Sequence, residues 1–214
     1  MDRCDFLPVS AEEMHERGWW WYDALVVGGD AYVDHPSFGT AVISRVLEAE
    51  GLRVAVLAQP DWHDAEAFRA MGRPRLGVFI GAGNLDSMVA HYTAAKRRRS
   101  EDFYSPGKRT GCRPDRAAIV YCNRAREAFG PDMPIILGAL EGGLGRLAHY
   151  ECWVGSVRRA ILFDAPADLL VYGMGEAATI EIAHRLKKKQ SVRTMTDIPG
   201  TGYITRAPSV CKFD

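Results

Sequence analysis

The chain reads as an α/β domain built on a doubly wound, mostly parallel five-stranded sheet. Three observations predict this. Short apolar runs rich in β-branched residues recur five times, at 24–29 (ALVVGG), 53–59 (RVAVLAQ), 75–83 (RLGVFIGAG), 133–140 (MPIILGAL) and 167–173 (ADLLVYG). Segments of helical periodicity lie between them, the alternation of a parallel sheet with crossover helices. Each run is almost continuously apolar, as a strand covered on both faces must be.

The elements follow in order. Ahead of the first strand, SAEEMHERGWWWYD (10–23) opens with a capping box, Ser10 as N-cap and Glu13 three positions on. Trp19, Trp20 and Trp21 then seal an edge of the core, with a stacking platform for a base or ring as the alternative. Residues 38–50 form a helix whose buried face is Val42, Val46, Leu47 and Ala49, closed by Gly51. After the second strand, DWHDAEAFRAMG (61–72) is a short helix that Asp61 can cap. The third strand runs into NLDSMVAHYTAAKRRR (84–99), an amphipathic helix with a basic end, as the helix dipole favours.

Residues 97–116 are basic and rich in Gly and Pro, a long loop of the kind that is functional or mobile in compact domains. A helix at 114–130 starts behind Pro114 and ends at Gly130. The fourth strand leads into a glycine-rich turn, EGGLGR (141–146). LAHYECWVGSV (147–157) is a short segment, and RRAILFD (158–164) is a strand or a helical turn. The fifth strand precedes the last helix, EAATIEIAHRLKKK (176–189). The domain thus covers 1–190, and the polar, Pro/Gly-punctuated stretch 191–214 reads as a connection toward a further domain.

Composition narrows the function. Lys+Arg and Asp+Glu are both 27, which argues against a protein devoted to coating nucleic acid. The basic run in the long loop reads as a solvated charged face, with RNA docking as the alternative. No run approaches the roughly 18 apolar residues of a membrane helix. The first residues lack a secretory apolar core, so the expected location is cytoplasmic. Five widely spaced cysteines without CxxC or CxxxCxxC encode neither a disulfide framework nor a metal or iron–sulfur site. His15, His63, His91, His149 and His184 show no metal-ligand spacing.

Candidate binding residues follow the strands: Asp30, Asp34 and His35; Gly81, Gly83 and Asn84; Glu141 and Gly142; Gly173, Gly175 and Glu176. In an open α/β sheet, ligands bind outside the carboxyl ends of the strands. Glycines there let backbone approach a ligand, and helix N-termini offer free N–H groups. GMGEAA (173–178) fits the G-x-G-x-x-A dinucleotide fingerprint, but at the last strand rather than the first. Asp34 and His35 form either an acid–base pair or a capped turn before Pro36. Glu141 is a helix N-terminal anion or a ligand contact. The D-x-H-x-x-G pattern that gives cobalamin an axial histidine is absent.

GDAYVDHPSFG (29–39), the loop ending RPDRA, RLAHYECWVGSVRRAILFDAPADLLVYGMGE (146–176) and the opening FLPVSAEEMHERGWWWYD (6–23) resemble the N-terminal part of the YgiQ-type radical SAM proteins. The resemblance runs from about Phe6 to about Pro208. It implies a flavodoxin-like domain similar to the cobalamin-binding modules that precede other radical SAM barrels, with the turn from Gly173 to Glu176 beside the ligand. It implies a C-terminal radical SAM barrel as partner, carrying the CxxxCxxC cysteines for a [4Fe–4S] cluster that binds S-adenosylmethionine. No such triad occurs here, so cluster and S-adenosylmethionine are expected only in a longer relative. Cobalamin or another small molecule is the candidate ligand of this part. The expected function is an accessory binding domain of a radical SAM enzyme. The alternative is a stand-alone corrinoid- or nucleotide-binding module without catalysis.

Overall fold

A computed structural model describes residues 6–206; Cys4 and Cys211 lie outside them. The sheet is flavodoxin-like. Five strands run parallel, β1 (Ala24–Gly28), β2 (Val54–Ala58), β3 (Gly77–Ile80), β4 (Ile135–Leu137) and β7 (Leu169–Val171), in the spatial order β2-β1-β3-β4-β7. That is the 2-1-3-4-5 order of flavodoxin-like sheets, whose direction of winding reverses between the first and third strands.

A period of two along each strand divides the core into two layers. Leu25, Val27, Val78, Ile80, Ile135 and Leu137 face one side, under helices α1 (Ala11–Glu16), α3 (Glu66–Ala70) and α5 (Ala117–Phe129). Val26, Phe79, Ile136 and Val171 face the other, under α2 (Gly39–Ala49) and α7 (Glu176–Lys187). Buried strands of this kind explain the near-continuous apolar runs. Ser10 caps α1 as expected, its Oγ accepting from Glu13 N–H at 3.2 Å, while Glu13 Oε2 reaches one residue past the cap and accepts from Val9 N–H at 2.9 Å.

Several elements depart from the sequence reading. A sixth strand, β8 (Thr201–Gly202), pairs antiparallel with β7. Val192, Met195 and Ile198 are buried in the α2/α7 layer. The stretch after residue 190, read as a connection, is therefore packed against the sheet as far as Tyr203 and covers the open edge of β7. The helix expected over 84–99 is only α4 (Ser87–His91). Tyr92 turns extended and bridges Arg98, with Lys96 at φ 58 completing the reversal.

The buried row of α2 is Ala41, Ser44 and Leu47, an i, i+3 row, while Val42 and Val46 are half-buried and Ala49 exposed. Sequence hydrophobicity hides this because Ser44 meets its need locally, donating to Thr40 O at 2.7 Å. Asp61 does not cap α3; it accepts from His63 N–H, and Asp64 accepts from Glu66 N–H instead. The glycine-rich turn belongs to α6 (Ala139–Leu144), and 147–158 forms the hairpin β5 (His149–Glu151) and β6 (Ser156–Arg158). Residues 161–163 are a 3-10 turn.

Candidate functional site

The carboxyl ends of β1, β3, β4 and β7 open into a cleft of about 290 Å³ between the first turns of α2 and α7. Its floor is apolar, made by Val26, Phe79, Ile136 and Val171. Thr40 and Ile43 of α2 form one wall; Gly175, with Glu176 and Thr179 of α7, forms the other. The backbone of Gly81, Gly83, Gly138 and Gly173 completes the rim. Gly175, the residue before α7, supplies no side-chain cap, so the helix presents its first N–H groups at the cleft. A concave, mostly apolar site with a few polar groups at a sheet's switch point is the usual form of a ligand site.

Of the residues expected at the site, Gly81, Gly83, Gly173, Gly175 and Glu176 line this cleft. The others make contacts that hold its surroundings together. Asp30 is buried beside the guanidinium of Arg113, with Oδ1 2.9 Å from Nη1. Arg113, itself 1 % exposed, donates twice to Asp102, at 3.1 and 3.0 Å, and once to Ala82 O at 3.3 Å. Asp30 and Asp102 thus share one arginine, which fastens the long loop to the ends of β1 and β3.

Asp30 Oδ2 also accepts from Asn84 N–H at 2.7 Å. Burial pushes the Asp30 carboxyl above the ordinary carboxylate range, against the pull of Asn84 N–H and Arg113. Gly29 and Gly83 make the approach feasible. A Cβ on Gly29 would lie 1.9 Å from Ala82 O, and one on Gly83 would lie 2.2 Å from Asp30 Oδ1.

Asn84 ties the turns together, its Nδ2 donating to Ser37 O at 2.8 Å and its Oδ1 accepting from Gly39 N–H at 3.3 Å. Asp34 accepts from Arg45 Nε of α2, at 3.2 and 3.1 Å, and pairs with Nη2 of the same group. His35 is exposed, and its Nδ1 accepts from Ser37 N–H at 3.1 Å. Asp30, Asp34 and His35 therefore each have a partner within the protein, and the segment serves as a braced wall beside the cleft.

Glu141 is buried and reaches two helix starts. Its Oε2 accepts from Ser87 N–H at 3.0 Å and Ser87 Oγ–H at 2.6 Å; its Oε1 accepts from Ala118 N–H at 3.0 Å. Burial raises its pKa, opposed by those donors. Gly142 packs on Leu137 and Leu170, away from the cleft.

Thr40, Ile43, Gly138, Ala139 and Thr179 line the cleft without a sequence motif to mark them. Ala139, just after β4, holds φ 61, a left-handed conformation that costs a non-glycine residue about 1–2 kcal/mol. The usable signal was position: each lies in the first turns after a strand end. Among the described residues, no three His, Cys, Asp or Glu side chains gather into a metal site. Cys112, Cys122 and Cys152 are free thiols, and burial pushes the Cys122 thiol up. No helix among the described residues is long and apolar enough to cross a membrane.

A 2-1-3-4-5 sheet with a crevice at its carboxyl edge defines the class: a doubly wound α/β domain of the flavodoxin-like kind. The comparisons name the family. The family model for the radical SAM N-terminal region matches residues 6–212. A UPF0313 protein of Clostridium botulinum (strain 657 / Type Ba4) is 51 % identical over 212 residues, 99 % of this chain and 33 % of its own length. A UPF0313 protein of Methanosarcina acetivorans is 54 % identical over 196 residues, 92 % of this chain and 26 % of its own length. This chain belongs to the radical SAM N-terminal family and spans about a third or less of the curated relatives it matches. Among solved structures, the radical S-adenosylmethionine methyltransferase TsrM from Kitasatospora setae, with cobalamin and a [4Fe–4S] cluster bound, has the same fold. The match has a TM-score of 0.55 at 20 % identity and covers 86 % of this chain and 27 % of that one.

Proposed function

We propose that this domain is the accessory, cofactor-binding part of a radical SAM protein and that its strand-end cleft takes a corrinoid. The observation that carries the reading is the cleft: an apolar floor for a flat macrocycle, two helix N-termini, and glycine backbone on the rim. The phosphodiester in a cobalamin's nucleotide tail matches the N–H groups at the start of α7. No histidine lines the cleft, so the chain offers cobalt no imidazole there. A bound corrinoid would supply a cobalt centre able to carry a methyl group; this chain's part is to hold and shield it.

An iron–sulfur cluster does not fit the described residues, which gather no cysteine triad. Cluster and S-adenosylmethionine belong, in this reading, to a C-terminal barrel in the longer proteins. A second reading, nucleotide binding without corrinoid, rests on the turn from Gly173 to Ala178, which enters α7 at the cleft wall.

The test is titration of the purified chain with hydroxocobalamin and, separately, with AMP, followed by absorbance and calorimetry. Gly39→Leu serves as the blocking variant, because Gly39 lines the cleft and a Cβ there meets nothing within 4 Å. Corrinoid binding weakened at least tenfold by Gly39→Leu supports the proposal. AMP binding alone selects the nucleotide reading. Binding of neither removes both.

A further inference from the structure

Within the loop after α4, residues 96–109 carry six cations, Lys96, Arg97, Arg98, Arg99, Lys108 and Arg109, against two acids, Glu101 and Asp102. Asp102 is engaged by Arg113 inside the protein. Among the described residues the one other ion pair of this stretch is Lys108 with Glu101, at 3.8 Å. Arg99 and Lys96 donate to the Val89 and Trp153 carbonyls, neutral acceptors that leave their charge uncompensated. Arg98 lies 5.9 Å from the centre of the Tyr92 ring.

Arg97, Arg98 and Arg99 border a groove of about 540 Å³ together with Ser100, Phe103 and Tyr104. Phe103 is 74 % exposed, and Lys108 approaches its ring at 4.9 Å. The base of the loop is held firmly. Besides the Arg113 pair, Ser105 Oγ–H donates to Asp102 at 2.9 Å, Gln59 Nε2 donates to Ser105 Oγ at 2.6 Å, and Ala31 N–H donates to Tyr104 O at 2.8 Å. These bonds run to the ends of β1 and β2, so the groove lies on the same edge of the sheet as the cleft.

We propose that this groove binds a single-stranded polynucleotide, its phosphates on the three arginines and a base stacked on Phe103. Cations beside an exposed ring are the pairing that single strands use: charge follows the backbone and the ring takes any base. An acidic peptide would match the charge but would leave Phe103 unused. The overall neutrality of the chain does not oppose this, because counterion release depends on local phosphate contacts. The inference is independent of what fills the cleft.

The experiment is fluorescence anisotropy of the purified chain with labelled rU12 and dT12 at 50 and 200 mM salt. Three phosphate contacts on a single strand give a log–log slope near −2, or roughly twentyfold weaker binding over that range. Replacing Arg97, Arg98 and Arg99 together with Ser should lower affinity at least tenfold at 50 mM and flatten the slope. Phe103→Ala should weaken binding about fivefold or more with the slope kept. All four side chains are exposed, and an unchanged thermal melt shows the variants folded. Equal affinity for rU12 and dT12 assigns recognition to the phosphates; preference for rU12 assigns the natural ligand to RNA. No binding at 50 mM, unchanged binding by the triple variant, or displacement of rU12 by poly-glutamate at equal charge would overturn the proposal.

Discussion

Replacing Arg113 with Met should expose how strongly the strand-end region depends on one buried arginine. The guanidinium is fully buried and faces two carboxylates, Asp30 at 2.9 Å and Asp102 at 3.0 and 3.1 Å. Methionine fills similar volume but leaves both acids buried and uncompensated. Removing one partner from a buried ion pair typically costs about 3–5 kcal/mol. For a chain of this size each kcal/mol lowers Tm by about 2–4 °C, so the loss should be roughly 6–20 °C. The loop should also come free, and trypsin should cut at the arginines of 97–99 well before the rest of the chain. Adding Asp102→Asn to the Met variant should recover part of the loss, because one of the two stranded charges disappears. Calorimetry and timed proteolysis read both effects. A melt within about 2 °C of the parent, with the loop still protected, would refute the role given to Arg113.

Three further outcomes follow from other contacts. Glu141→Gln sets an amide N–H₂ against a backbone donor of Ser87 or Ala118, and should cost about 2 kcal/mol in urea unfolding. An unchanged midpoint would show that the carboxylate does not brace α4 and α5. Gly83→Ala combines φ 111 with a Cβ 2.2 Å from Asp30 Oδ1, and should lose roughly 2–4 kcal/mol; a fold as stable as the parent would contradict the close approach. Asp164 is held below the ordinary carboxylate range by Arg158 and then Arg159. Its contribution is therefore present above the unfolded value of about 3.9 and lost as pH falls through the lower folded value. Asp164→Asn should melt below the parent at pH 7, and the gap should close in strong acid; a gap constant with pH would remove the Asp164 pairing.

The parallel strands were legible because each is a buried apolar run bounded by glycine or a charge, and the glycines after β3 and β7 line the cleft. Elements held by pairing rather than by pattern were not. β8 is two residues, Thr201 and Gly202, with no apolar signal of its own. The hairpin of 149–158 exposes Tyr150 and Val157, so its alternation does not point to a core. The helix over 84–99 stops at Tyr92 because the chain reverses there into a bridge with Arg98, which outweighs helix propensity.

At the site, residue type was a poor guide to role. Asp30 and Glu141 sit at strand ends as ligand groups would, but their charges face Arg113 and the starts of α4 and α5. Nothing in RPDR distinguishes the buried Arg113 from exposed arginines nearby; only the fold brings Asp30 and Asp102 to it. Thr40 and Thr179 look like ordinary helix residues until the cleft places them on facing walls.

The central claim, that a corrinoid lies in the strand-end cleft, is met most directly by the amide spectrum of isotope-labelled chain with and without hydroxocobalamin. The account requires shifts clustered at residues 39–43, 81–83, 138–139 and 173–179, the segments that line the cleft. Shifts elsewhere, on the 97–104 loop or the 149–158 hairpin, or no shifts at saturating corrinoid, would contradict it.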